Sequence, residues 1–248
     1  MNIMKLTLEK GNQIFSDKLS LLLEELGFAI ENGIIIRKKK FGREKIMYDS
    51  LDFSIRRDFI LTYSAVKRID PIDEIIDDFF LEIYPFEMTK RVQTSVLAFN
   101  AKRIKDYKFD PANIHQWVRC DDYYEREATE EGVEQLAVDF FKAIEAYVIP
   151  TFDKYNNIQL LDACINETPE WYFEVIHLFT GNGLQYKKMI IAKLAGNKDY
   201  ELVCEAMKRR ILNTNSKGKI SKETFLSVYE KIYERLKNVK PLANPILD

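Results

Sequence analysis

Residues Thr129 to Tyr155, TEEGVEQLAVDFFKAIEAYVIPTFDKY, form the longest periodic stretch of the chain. Its apolar residues recur at steps of three and four, which predicts one face of a helix. They are Val133, Leu136, Ala137, Phe140, Ile144, Tyr147 and Val148. Thr129 is suited to cap the first turn, and Pro150 is expected to end or kink the helix near Ile149, because proline has no backbone donor. The apolar face needs a partner, so we expect the rest of the fold to pack around this helix.

Upstream of this helix the pattern changes between the two kinds of secondary structure. Residues 12–26 predict a helix that stops at Gly27, and a second helix is expected from Asp70, a capping residue before Pro71, to the residues before Pro85. Strand patterns occupy residues 33–39, 45–57, 59–68, 91–100 and 113–121. The first two of these strands are predicted to pair as an antiparallel hairpin.

Downstream of the long helix the pattern is helical throughout. The expected helices cover residues 158–165, 170–180, 184–195, 198–213 and 221–238, with Ser221 as the cap of the last one. The fold class predicted from the sequence is therefore α+β. We expect a domain at residues 1–165 with a mainly antiparallel sheet and packed helices, followed by a C-terminal helical subdomain at residues 166–248.

The composition is that of an ordinary globular protein, with 46% hydrophobic and 31% charged residues in 248. No apolar run approaches the roughly 20 residues of a membrane span, so no membrane partner is expected. The N-terminal stretch has no apolar segment typical of a secretory signal. Cys120, Cys164 and Cys204 are too few and too widely spaced for a disulfide framework or a structural zinc site. These features together predict a cytoplasmic protein.

The net charge of −2 hides a segregation of charge along the chain. Residues 1–70 carry 13 basic and 10 acidic side chains, residues 71–180 carry 10 and 22, and residues 181–248 carry 14 and 7. Such asymmetry is expected either when one region docks on another or when a charged partner binds. The sequence leaves both explanations open, with internal pairing favoured.

The densest acidic segment precedes the long helix and is interleaved with aromatic residues. Its candidate protein-binding residues are Trp117, Asp121, Asp122, Tyr123, Tyr124 and Glu125. Carboxylates speed the encounter with a basic partner, while aromatic side chains supply contact area. A solvated acidic loop is the simpler explanation of the same residues.

The strongest basic cluster lies between the first two predicted strands. Its candidate phosphate-binding residues are Arg37, Lys38, Lys39, Lys40 and Arg43. On a hairpin tip they are suited to bind the backbone of a nucleic acid, although lysines also keep an edge strand from pairing with other chains, which is the favoured explanation. A second basic set in the C-terminal helices is adequately explained as a solvated helix face. It consists of Lys187, Lys188, Lys193, Lys208, Arg209 and Arg210.

Sequence motifs for catalysis and cofactors are missing from the chain. There is no Walker A loop, no Gly-x-Gly-x-x-Gly, no Gly-x-Ser-x-Gly and no His-Glu-x-x-His. His115 and His177 lie in no recognisable motif. No catalytic residue, cofactor or metal is therefore predicted, and a small-molecule enzyme without a known motif is kept as a third hypothesis.

The order of elements resembles bacterial families that are defined only as domains of unknown function, some of whose members resemble toxin-immunity proteins. The resemblance rests on Leu26-Gly27-Phe28 at the end of the first helix, and on Val148 to Phe152 before Leu160 and Leu161. It covers roughly residues 12–165. What it implies is a non-enzymatic, protein-binding module of the immunity type. The acidic segment predicts that the bound protein is basic, and the basic clusters leave nucleic-acid binding as the alternative.

Overall fold

The computed structural model describes residues 6–31, 34–41, 45–56, 60–83, 97–100, 129–167, 184–213 and 221–242. Most of these residues lie in helices, so the described part of the chain is mainly helical. The predicted fold class, an α+β protein with a mainly antiparallel sheet, is wrong in this respect. The physical reason lies in the core. Of the buried apolar side chains that the structure describes, only Ile35, Leu51 and Ile69 belong to strands.

The described helices lie close to the segments with helical periodicity. They are α1 (Leu8–Glu24), α2 (Asp70–Ile83), α3 (Glu130–Ala143), α4 (Ile149–Lys154), α5 (Ile158–Ile165), α6 (Leu184–Ala195), α7 (Tyr200–Asn213) and α8 (Lys222–Lys237). A π-helical turn, Ile144–Val148, joins α3 to α4. The helix predicted at residues 170–180 lies outside the described residues.

The strands are β1 (Ala29–Glu31), β2 (Ile34–Phe41), β3 (Lys45–Arg56), β4 (Ile60–Ile69) and β5 (Leu97–Asn100), and they are neighbours in chain order. β1 pairs with β2 in antiparallel register, with Ala29 opposite Ile36. β1 is not among the strands that the sequence predicts. The strand expected at residues 113–121 lies outside the described residues.

The chain forms two compact units, of which the first contains Met1–Lys39, Tyr48–Val66 and Phe99–Phe152. Within it α1 packs against α3, and the rings of Phe15 and Phe140 lie 5.9 Å apart between centroids. Thr129 caps α3 as predicted, since its side-chain oxygen accepts a hydrogen bond from the Gly132 backbone N–H at 3.0 Å. Gly27, with φ of 79°, takes the left-handed conformation after the last turn of α1, as its position predicts.

The helix of the opening stretch does not end at Pro150. It continues as α4 to Lys154, and the π-helical turn lies directly before Ile149 and Pro150. Proline cannot donate the hydrogen bond that an α-helix needs at this position, and a π turn changes the local hydrogen-bonding register. The irregularity thus falls where proline would otherwise break the helix.

The second unit contains Lys40–Met47, Lys67–Ala98 and Asp153–Asp248. Its centre is α6, which contacts α2, α5, α7 and α8, while α2 also packs on α8. The middle of α6 is buried on all sides from Tyr186 to Ala192. Ser221 caps α8 as predicted, accepting from the Thr224 N–H at 3.1 Å.

The two units interleave along the chain, whereas the sequence predicts a division between residues 165 and 166. That division stays a prediction, because compact units of contacts are not the same as independently folding domains. Among the described helices, none has the length and apolarity that a membrane crossing requires.

Candidate functional site

The acidic side chains of α2 are directed at basic side chains of the same unit. α2 carries six acidic residues and no basic one. Asp78 pairs with Arg235 and Glu82 with Lys231, both on α8. The acidic middle of the sequence and its basic C-terminal part therefore meet here. For these residues, internal pairing explains the segregation of charge.

The start of α2 also holds a buried charge cluster. The Lys187 ammonium lies 3.1 Å from Asp73 Oδ1, and the two side chains are 1% and 0% exposed. The contact is a charge pair without the alignment of a hydrogen bond. Asp73 Oδ2 accepts from the Ile69 backbone N–H at 3.1 Å, which fixes the junction between β4 and α2. Burial, reinforced by the nearby Arg68 guanidinium, lowers the pKa of Lys187 well below its usual value.

Arg68 completes this cluster. Its guanidinium donates from Nε to Asp70 Oδ1 at 3.1 Å and from a terminal nitrogen to Asp77 Oδ2 at 2.7 Å. A guanidinium that contacts two carboxylates is held in one orientation. These contacts indicate a structural role, in which the cluster holds β4, α2 and α6 together. A catalytic site would instead need room for a substrate.

A second polar cluster lies where α5 meets α6. The Asp162 carboxylate accepts from the side-chain amides of Asn166 and Asn197, at 2.7 Å each, and Asn166 also donates to the Lys188 carbonyl. Burial raises the pKa of Asp162. Burial, together with the charge of Arg210 and against that of Asp162, lowers the pKa of Lys188 to about 8.

The interpretation of the second basic set as a solvated helix face is wrong for two of its members. Lys187 and Lys188 are both buried in α6. The apolar residues on both sides of this pair in the sequence could have indicated the burial of the two lysines. A helix that is apolar on all sides is usually buried, and its lysines are then buried with it. Lys208, Arg209 and Arg210 are exposed, as a solvated face requires.

The exposed face of α3 presents a different arrangement of acids. Glu131 and Glu134 are exposed, and Glu130, also exposed, forms an ion pair with Lys10 of α1. The opposite face carries the buried apolar residues that pack in the first unit. Thr129 starts this helix four residues after Glu125, so the acidic surface follows the predicted binding segment directly in sequence.

The candidate protein-binding residues, Trp117, Asp121, Asp122, Tyr123, Tyr124 and Glu125, all lie outside the described residues. His115, His177 and Cys120 lie outside them as well. The prediction for this surface stays a prediction.

The candidate phosphate-binding residues are described in part. Arg37 is buried, with its guanidinium 5.1 Å from the centroid of the Phe28 ring, whereas Lys38 is exposed. Nothing is described of the Lys39 and Lys40 side chains or of Arg43. The stacking of Arg37 on Phe28 removes one cation from the set that a phosphate would reach.

Two observations concern thiol and metal chemistry in the part of the chain that the structure describes. Cys204 is buried, and burial raises its pKa to about 12, which disfavours the thiolate needed for nucleophilic attack. Among the described residues no group of three or more His, Cys, Asp or Glu is placed to hold a metal ion.

No known protein family matches this chain, and neither a curated protein nor a solved structure resembles it closely enough to count as a match.

Proposed function

We propose that this protein is a non-enzymatic module, of the immunity type, that binds a basic partner protein on an acidic surface. The observation that carries the proposal is the exposed acidic start of α3, which follows the acidic and aromatic segment in sequence. The acids of α2 differ, because five of them pair with basic residues of their own unit. On α3, Glu131 and Glu134 are exposed to solvent.

Two physical effects make such a surface suitable for a basic protein. Opposite charge accelerates the encounter and orients the partners, an effect that salt screens. Aromatic side chains then supply buried contact area, which is where most binding free energy concentrates. Trp117, Tyr123 and Tyr124 would supply that area, and Glu131 and Glu134 would extend the charged rim.

The test is binding to the products of adjacent genes, each co-expressed with this protein and captured by affinity purification. For a captured partner, we expect the double variant Tyr123→Ala and Tyr124→Ala to weaken binding by about 2 kcal/mol or more, roughly thirtyfold. The double variant Glu131→Lys and Glu134→Lys should mainly slow association, with a difference that shrinks as salt is raised.

Glu205→Lys is the matched control, because Glu205 is an exposed acid on α7, in the other unit. A partner that binds all these variants with unchanged affinity and rate would rule out the acidic surface. Failure of every adjacent gene product to bind would contradict the immunity-type function itself.

Nucleic-acid binding remains the alternative, favoured by exposed Lys38 and by Lys208, Arg209 and Arg210 at the end of α7. Phosphate contacts would make affinity fall steeply between about 50 and 200 mM salt. A gel-shift titration with mixed DNA and RNA measures this. A salt-sensitive shift that is lost in Lys38→Glu would support the alternative, and no shift at low salt would exclude it.

A further inference from the structure

A groove of about 310 Å³ lies in the first unit, beside the outer surface of α1. It is lined by Ser20, Leu21, Glu24, Phe28, Ala29 and Ile35, so one wall is helical and the other comes from the β1–β2 hairpin. Phe28 and Ile35 are buried and form an apolar floor. The Arg37 guanidinium stacked on Phe28 helps to hold this floor in place.

Leu21 is the apolar side chain that stands out at this groove. It is 67% exposed, the largest value among the exposed large hydrophobic residues of the described chain. A single exposed leucine is common at protein surfaces. Leu21 differs because it borders a concave apolar floor, which is the arrangement that accepts a side chain from a partner.

Acidic residues surround Leu21 on α1 and at its C-cap. Asp17 and Glu25 lie four residues before and after it, and Glu24 is three residues after it and lines the groove. All three are exposed. Positions four apart lie on one face of a helix, about 6 Å apart along the axis. An apolar partner side chain next to Leu21 would thus have carboxylates at roughly 6 Å on either side.

An extended peptide matches this spacing. Alternate residues of a strand point to the same side and are separated by about 6.6 Å. In a segment of the pattern Lys-x-Leu-x-Lys, the leucine and both lysines would therefore face the groove together. The second wall favours an extended partner, because β1 is the end strand of the described order and uses one of its two edges to pair with β2.

We propose that this groove is a docking site for an extended segment of a basic protein, in which an apolar residue packs beside Leu21 between two Lys or Arg residues. The flanking cations meet Asp17, Glu24 and Glu25. This site goes beyond the function proposed above, because it uses a different surface, of α1 and β1, and specifies the conformation and pattern of the bound segment.

The experiment is a fluorescence anisotropy titration of the full chain with a labelled peptide, Thr-Lys-Thr-Leu-Thr-Lys-Thr, at low salt. We expect saturable binding that Leu21→Ser weakens about tenfold. Leu202→Ser is the matched control: Leu202 is a 52% exposed leucine on α7, and its replacement should leave binding unchanged. Both replacements are at exposed positions and should leave the fold intact.

Charge and conformation are tested with two further probes. The double variant Asp17→Lys and Glu25→Lys should no longer bind the lysine peptide. It should instead bind Thr-Glu-Thr-Leu-Thr-Glu-Thr more tightly than the wild type does. An alanine-rich helical peptide with Lys, Leu and Lys at four-residue spacing should bind more weakly than the extended one. Stronger binding of the helical probe overturns the inference.

Two other results would also overturn it: no binding of the lysine peptide up to about 1 mM, or equal effects of Leu21→Ser and Leu202→Ser. These outcomes are independent of Tyr123 and Tyr124. The peptide assay and the partner assay can therefore succeed or fail separately.

Discussion

Helices α2 and α3 are both 14 residues long and both rich in acid, yet they differ in how many of their carboxylates pair with basic groups. Most carboxylates of α2 contact basic groups of Arg68, Lys187, Lys231 and Arg235. Helix α3 is instead fixed by its apolar face, through Phe140 against Phe15 of α1, and its first carboxylates lie at the surface. Acidic composition alone therefore does not identify a binding surface; what matters is whether the fold supplies the counter-charge.

The largest expected effect comes from the buried pair of α2. Lys187→Met would leave the Asp73 carboxylate in the core, and an uncompensated buried charge typically costs about 3–5 kcal/mol. The free energy of unfolding from urea denaturation measures the loss. The double variant Lys187→Met and Asp73→Asn should recover most of it, because the amide oxygen can still accept from the Ile69 N–H without carrying a charge.

The matched control for this experiment is Glu134→Gln on the exposed face of α3, which should change stability by less than about 0.5 kcal/mol. If Lys187→Met lowered the free energy of unfolding as little as Glu134→Gln does, the buried charge pair of α2 would not stabilise the fold more than the exposed acids of α3 do.

The next effect concerns the apolar attachment of α3. Phe140 is 1% exposed, and Phe140→Ala is expected to destabilise the protein by about 3 kcal/mol through lost burial and a residual cavity. This loss should be almost the same at low and at high salt, since dispersion and hydrophobic contacts are not screened by small ions. A strong salt dependence in the urea midpoint of the variant would argue that charge also holds α3.

A third prediction concerns pH. In the folded chain Lys188 has a pKa of about 8, against the ordinary lysine value of 10.5 that applies when the chain is unfolded. Between these values the unfolded chain binds more protons, so the contribution of Lys188 to stability rises with pH from about 8 to 10.5. Lys188→Met should remove that rise. The free energy of unfolding of the variant should therefore exceed that of the wild type by more at about pH 7 than at about pH 9.5.

Urea titrations of both proteins at the two pH values measure this difference. An identical pH dependence in the variant and the wild type would show that Lys188 keeps its ordinary pKa.

The smallest effects are expected from the exposed ion pairs between α2 and α8. Arg235→Gln and Lys231→Gln should each cost about 0.2–1 kcal/mol at low salt and less at about 0.5 M salt. Denaturation of the single variants and of the double variant provides the measurement. A loss of several kcal/mol from either would mean that the pair is far less hydrated than its exposure indicates.

The sequence was informative wherever a local rule acts on local residues. The caps at Thr129 and Ser221, the stop at Gly27 and the helical stripes depend on residues within one or two turns. The structure confirms the two caps, the stop and the stripes that fall within the described residues. For Pro150 the sequence predicts an end or a kink near Ile149. It does not predict that the helix continues through a π-helical turn, which is another way to accommodate the missing donor.

The features that the sequence does not predict depend on which helices and strands contact one another in the folded protein. The predicted fold class is wrong because strand patterns near the N-terminus predict a sheet as the body of the protein, whereas helices supply most of the described core. Lys187 and Asp73 lie 114 positions apart, so no sequence window could pair them. The burial of Arg37 against Phe28 was likewise invisible, since the run of lysines after Arg37 is typical of a hydrated strand.

The packing of α2 against α8 has a consequence in time. At about 5–20 residues per second, synthesis of the 157 positions between Asp78 and Arg235 takes roughly 8–30 s. In the later part of that interval α2 is outside the ribosome, while the helix that packs on it has not been completed. Its apolar residues Ile72, Ile75 and Ile76, which are buried in the folded protein, can then contact other chains. We therefore expect chaperones to bind this segment during synthesis.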